Sequence, residues 1–142
     1  MMPQRLREAG IMSPAVPTGS DTELADAWSE VLRRHARVSS ALERELQSRH
    51  GIGASEFQVL EWLANRGAGD ECRMQELSDA VHLSQSALSR LIGRLEHDGL
   101  VHRKLCTADR RGIYACLTPE GRARYEAARP TQRDVLAKTW EG

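Results

Sequence analysis

Gly99 divides the centre of this chain into two stretches whose apolar residues repeat with different periods. Before it, Leu88, Leu91, Ile92 and Leu95 recur three or four positions apart, the spacing that lines up one face of an α-helix. After it the period falls to two. Val101, Arg103 and Leu105 alternate with His102, Lys104 and Cys106, and Ile113, Ala115 and Leu117 alternate with Tyr114 and Cys116. Such alternation predicts two short strands, with the polar stretch from Thr107 to Gly112 as the connection between them. Upstream, a helix is predicted from about Met74 to Val81. A short turn at His82 and Leu83 follows, then a second helix from Ser84 to about His97.

Helix, short turn, helix and hairpin in that order predict a winged helix-turn-helix. The rest of the chain reads as its frame. Met1 to Ser20 is rich in Pro, Gly, Ser and Thr and has no sustained period, so residues 1–20 are expected to be a disordered arm. Ser20 or Asp21 can cap a long helix from about Thr22 to His50, which stops at Gly51. Leu24, Trp28, Val31, His35, Val38, Leu42 and Leu46 fall on one face of it. A further helix is predicted from about Ser55 to Asn65, anchored by Phe57, Leu60, Trp62 and Leu63. At the other end, Thr118-Pro119-Glu120 signals a helix start, with Thr as N-cap and Pro in the first turn. That helix is expected to reach about Ala128, break at Pro130 and restart from Gln132 to Trp140. The expected fold is mostly α with a small β-hairpin wing. Residues 55–117 form the nucleic-acid-binding lobe within a domain spanning 21–142, flanked by helices at 22–50 and 119–142.

Composition removes several alternatives. A chain of 142 residues can bury a core without staples. Three cysteines, Cys72, Cys106 and Cys116, are an odd count without a close pair, which argues against a secreted disulfide framework. No apolar run approaches the ~18 residues that would span a membrane, and Pro3, Gly10, Pro14 and Pro17 interrupt any signal-peptide core. A cytoplasmic location without membrane partners is expected. Formal net charge is zero, but Val81 to Arg111 carries six basic side chains against three acidic ones. A local basic patch on a neutral chain can still dock on phosphate.

The helix beginning at Ser84 has two chemically distinct faces. Opposite its apolar stripe stand Gln85, Ser86, Ser89, Arg90, Gly93 and Arg94, with no acid before Glu96. Short hydrogen-bonding and cationic side chains on a helix can meet base edges in the major groove. Gln85, Ser86, Ser89 and Arg90 are assigned to bases. Ser84, Arg94, Arg103 and Lys104 are assigned to phosphate contact or its support. The hairpin tip adds Asp109, Arg110 and Arg111; an arginine at a narrow wing can enter the minor groove, and Asp109 can brace it. A winged helix used for protein contact is the alternative, one with no reason to keep Arg90, Arg94, Arg110 and Arg111 together.

Other chemistry is sparse. The chain has no Gly-x-Ser-x-Gly, His-Glu-x-x-His, phosphate-cradling Gly loop or Cys-x-x-Cys, so no enzyme, cofactor or metal is expected. The histidines show no ligand spacing. Cys72 is placed in a loop before the third helix, where Arg73 and the helix start would activate it weakly; the three cysteines are read as structural or incidental. His35, inside the apolar stripe of the first helix, is read first as an interface histidine and speculatively as an effector contact.

From Phe57 to Ala128 the sequence resembles the MarR (multiple antibiotic resistance regulator) family. The matching residues run from Phe57-Gln58-Val59-Leu60 and Met74-Gln75-Glu76-Leu77 through Ser84-Gln85-Ser86-Ala87-Leu88-Ser89-Arg90-Leu91-Ile92 and Arg94-Leu95-Glu96. They continue with Asp98-Gly99-Leu100-Val101, Arg103, Asp109-Arg110-Arg111 and Leu117-Thr118-Pro119-Glu120-Gly121. The resemblance implies a homodimeric transcriptional regulator that binds palindromic double-stranded operators, commonly a repressor released by a small aromatic effector. The helix from Ser84 would enter the major groove and the wing around Arg110 and Arg111 the minor groove. The first helix and the last two would form the dimer interface. The family's long final helix has no full counterpart after Pro130 here, so that part of the interface is expected to be smaller.

Overall fold

The computed structural model describes residues 20–66, 71–105 and 112–141. The chain divides into two compact units between Ala36 and Arg37, within the first helix. The elements in chain order are α1 (Asp21–His50), α2 (Ala54–Arg66), β1 (Glu71–Arg73), α3 (Met74–Val81), α4 (Gln85–His97), β2 (Val101–Leu105), β3 (Ile113–Leu117) and α5 (Pro119–Thr139).

The N-terminal unit contributes the α1 residues up to Ala36. Ser20 starts the helix: its hydroxyl accepts from Glu23 N–H at 3.4 Å, and Asp21 and Glu23 place negative charge at the positive end. Along this stretch Leu24, Trp28, Val31 and Leu32 are exposed, Trp28 to 62%.

The second unit builds its core from the same helical period. Val38, Ala41 and Leu46 of α1 are buried. Leu46 joins Ile52, Phe57, Leu60 and Leu63 in one cluster with Leu77 of α3 and Leu88, Leu91, Ile92 and Leu95 of α4. Burial of each such side chain is worth roughly 1.5–3 kcal/mol, and the cluster spans every helix of the unit, so it fixes their mutual packing. Gly51, at φ 69°, ends α1 in the left-handed region that a side chain disfavours.

The sheet has three antiparallel strands in the order β1-β3-β2. The expected hairpin is present, with Val101 opposite Leu117, Arg103 opposite Ala115 and Leu105 opposite Ile113. The third strand is a correction. Glu71–Arg73, expected as a loop, pairs with β3 with Cys72 opposite Ala115. Only a distant partner makes a three-residue strand stable, and that partner is invisible to local periodicity. The hairpin connection at 106–111, the arm at 1–19 and residues 67–70 lie outside the described residues.

The last helix is the second correction. α5 runs through Pro130 without a break. Tyr125, Ala128, Thr131 and Val135 are buried at spacings of three, three and four, so one stripe holds both sides of the proline to the core. Pro130 itself is exposed. Its missing N–H costs one helical hydrogen bond, which the packing of the stripe outweighs. The start of α5 follows the sequence reading: Thr118 accepts from Gly121 N–H at 2.9 Å, with Pro119 in the first turn.

Candidate nucleic-acid interface

α3 and α4 are set by a tight turn. His82 adopts φ 58°, ψ 41°, and its N–H bonds back to Ser78 O, closing α3. Ser78, itself buried, donates from Oγ to Leu83 O at 2.6 Å. One hydroxyl therefore ties the last turn of α3 to the residue before the α4 cap. Ser84 then caps α4, its side chain accepting from Ala87 N–H at 3.1 Å. No acid stands in the first turn, so the positive end of the helix keeps its field outward.

α4 presents the two faces anticipated from its sequence. Leu88, Leu91, Ile92 and Leu95 are buried. Ser84, Gln85, Ser86, Ser89, Arg90 and Arg94 are exposed. Among the described residues, the guanidinium groups of Arg90 and Arg94 enter none of the ion pairs. Gln85 is oriented by Gln75 of α3, whose side-chain oxygen accepts from its amide.

The two basic side chains of β2 stand differently. Arg103 bonds to α4: its Nη2 donates to Ser89 O at 2.7 Å, and its Nε lies 3.2 Å from Glu96 Oε1. Lys104 pairs with Glu71 of β1 at 2.9 Å. That ammonium holds the Glu71 carboxyl below its ordinary range, with a lesser contribution from the Cys116 thiol 3.5 Å away. Gln75, Glu71 and Glu96 are thus members of the site that the sequence reading did not assign. Glu96 had a weak signal, an acid seven residues before a basic strand position on the far side of a turn.

Asp109, Arg110 and Arg111, assigned to the wing tip, lie outside the described residues, as does Cys106. Cys72 does not stand in an exposed loop. It is buried in β1, and burial, more than the nearby Glu76 carboxylate, pushes its thiol up. Cys116 is raised for the same leading reason and then by Glu71. Both are the opposite of the cationic setting a reactive thiolate needs. His35 is exposed on α1. Among the described residues there is no cluster of His, Cys, Asp or Glu that could hold a metal ion, and no helix is long and apolar enough to cross a membrane.

A helix-turn-helix with its second helix exposed, followed by an antiparallel wing, defines the winged-helix class. The family model for MarR matches residues 50–112. The structure is similar to AbsC, a MarR family transcriptional regulator from Streptomyces coelicolor, with a TM-score of 0.77 and 31% identity over 88% of this chain and 82% of AbsC. It is similar to Sco3205, another MarR family regulator from that organism, solved in complex with DNA: TM-score 0.79, 28% identity, 89% and 78% coverage. A third likeness is to BpsR of Bordetella bronchiseptica, whose DNA binding is regulated by 6-hydroxynicotinic acid: TM-score 0.73, 25% identity, 82% and 86% coverage. This chain belongs to the MarR family. It spans between 58% and 68% of the length of the curated relatives it matches. Those relatives are transcriptional regulators or repressors.

Proposed function

We propose that this chain is a sequence-specific double-stranded DNA-binding regulator, a cytoplasmic homodimeric repressor of transcription. The observation that carries the reading is the outer face of α4. It is polar, cationic and free of acids in its N-terminal turns, and its other face is locked into the core. Gln85, Ser86, Ser89 and Arg90 are the side chains for base edges, and Ser84 and Arg94 those for phosphate. Asp109, Arg110 and Arg111 belong to the wing in this proposal. The DNA complex of Sco3205 supports it.

The exposed apolar row Leu24, Trp28, Val31 and Leu32 supports a homodimer, because such a row left in water marks an interaction surface. Two copies would read a palindromic operator. An aromatic acid is proposed as effector. The regulation of BpsR by 6-hydroxynicotinic acid supports that class. Beside α5 a hollow of about 420 Å³ is lined by Asn65, Arg122, Tyr125, Glu126, Arg129 and Arg133, with Arg122 and Arg133 paired to Glu126 and Glu61. His35 remains a candidate effector contact; an effector titration unchanged in His35→Ala removes it.

The test is a fluorescence-anisotropy titration against the DNA upstream of the chain's own gene, at two salt concentrations, with scrambled duplex as competitor. Tight, competitor-resistant binding with a steep salt slope is expected. If neither this DNA nor any duplex from a random-sequence selection is preferred, a winged helix for protein contact becomes the better reading.

A further inference from the structure

Arg103 sits in β2, the strand that leaves α4 after the Gly99 turn. Three of its groups reach back to that helix. Its backbone N–H donates to Glu96 Oε2 at 3.1 Å. Its Nε lies 3.2 Å from the other carboxylate oxygen, Oε1. Its Nη2 donates to Ser89 O at 2.7 Å and approaches Ser89 Oγ at 3.5 Å. Ser89, Gly93 and Glu96 are spaced four and three apart, so they form one strip of α4. The guanidinium lies along that strip. Gly93 lies beside it: a Cβ there would stand 3.8 Å from Arg103 Nη2, an ordinary contact distance.

We propose that Arg103 is a positioning residue: it fastens the first wing strand to α4 and orients Ser89 for base contact, and it does not serve as a phosphate contact. This rests on the DNA-binding reading above. A guanidinium already matched by a carboxylate adds no net positive charge to the surface, so it displaces no counterion from DNA. The geometry is equally specific. Arg103 spans a carboxylate and a carbonyl two helical turns apart, which the planar fork of arginine can do and a single ammonium cannot. At a phosphate, by contrast, lysine serves as a point charge nearly as well. The two roles therefore separate on the conservative substitution.

The experiment compares wild type, Arg103→Lys and Arg103→Ala on two duplexes: the best one recovered by wild type from a random-sequence pool, and a scrambled duplex of equal composition. Affinity is measured across a salt series, and thermal unfolding checks that each variant is folded. For Arg103→Lys the expected result is a roughly tenfold fall in preference for the selected duplex with the salt slope unchanged. Arg94→Ala is the contrast, losing about 1 from the slope on both duplexes. The proposal is overturned if Arg103→Lys matches wild type, whether or not Arg103→Ala loses affinity. It is also overturned if Arg103→Ala flattens the slope by about 1 on both duplexes. A readout without DNA keeps this separate from the DNA-binding reading. Hydrogen exchange at the Arg103 amide and along β2 should quicken in Arg103→Lys relative to wild type. If wild type selects no duplex, the DNA-binding reading fails by itself, and an unchanged exchange rate still overturns the clamp.

Discussion

The two halves of α1 carry the same apolar period and meet opposite fates. From Arg37 onward the stripe is covered: Leu46 is 0% exposed and belongs to the core. Before Ala36, at residues 24–32, the stripe continues in larger side chains, yet Leu24, Trp28, Val31 and Leu32 stay exposed. Periodicity reports that apolar residues line up; it does not report what covers them. The first half therefore leaves its apolar row in solvent, the surface assigned above to the proposed homodimer, and the second half is a wall of this chain's own core.

Substitutions on the two sides should respond differently. The largest effect is expected where the core meets backbone. At Gly121, in the first turn of α5, an added Cβ would stand 2.0 Å from Leu100 O and 2.8 Å from Leu117 Cδ1. Gly121→Ala should cost roughly 3 kcal/mol or more in chemical denaturation, since backbone must move. Leu46→Ala should cost about 2–5 kcal/mol by the same measurement, independent of protein concentration. Trp28→Ala should behave in the opposite way. It is expected to leave unfolding of the dilute chain nearly unchanged and to weaken self-association by about 2 kcal/mol, read by sedimentation velocity over a concentration series. An unchanged association constant would break the comparison.

Smaller effects refine it. His50 closes α1 beside α5, with Nε2 2.7 Å from Thr131 Oγ1. Burial, then the neighbouring Arg49 and Arg124, hold its pKa below the ordinary histidine value. The folded state thus prefers the neutral ring. Below about pH 6.5 the unfolded chain takes up a proton that the folded chain resists. Stability should fall modestly as pH drops through that range and level off below the depressed folded value. His50→Gln should flatten the profile. The smallest effect concerns thiols: alkylation of Cys72 and Cys116 at mild alkaline pH should be slow in the folded chain and speed up on unfolding, with no loss of fold under oxidant.

Much of this was readable from residues alone. The periods of α4 and of the β2–β3 pair, the Ser84 and Thr118 caps and the stop at Gly51 are all local signals, and each is where the sequence put it. What escaped was long-range. β1 exists because β3 lies beside it, and no alternation within Glu71–Arg73 announces that. Pro130 reads as a break until the buried Thr131 and Val135 are seen to continue the stripe. Arg103 and Lys104 are assigned from sequence to phosphate contact or its support, and their carboxylate partners Glu96 and Glu71 are visible only in the fold. A positive charge in a sequence has no visible partner, and the partner decides what the charge can do.

The joint between the wing and α5 has a mechanical consequence. Thr118 N–H donates to Leu100 O at 3.1 Å, its Oγ1 donates to Gly99 O at 2.7 Å, and Gly121 packs directly on the Leu100 carbonyl. The corner that ends α4 and the first turn of α5 are riveted with no slack between them. A tilt of α5 about its N-terminal end must be shared by the Gly99–Leu100 corner, and so by the helix that the corner terminates. Separating α5 from that corner would break both Thr118 hydrogen bonds at once.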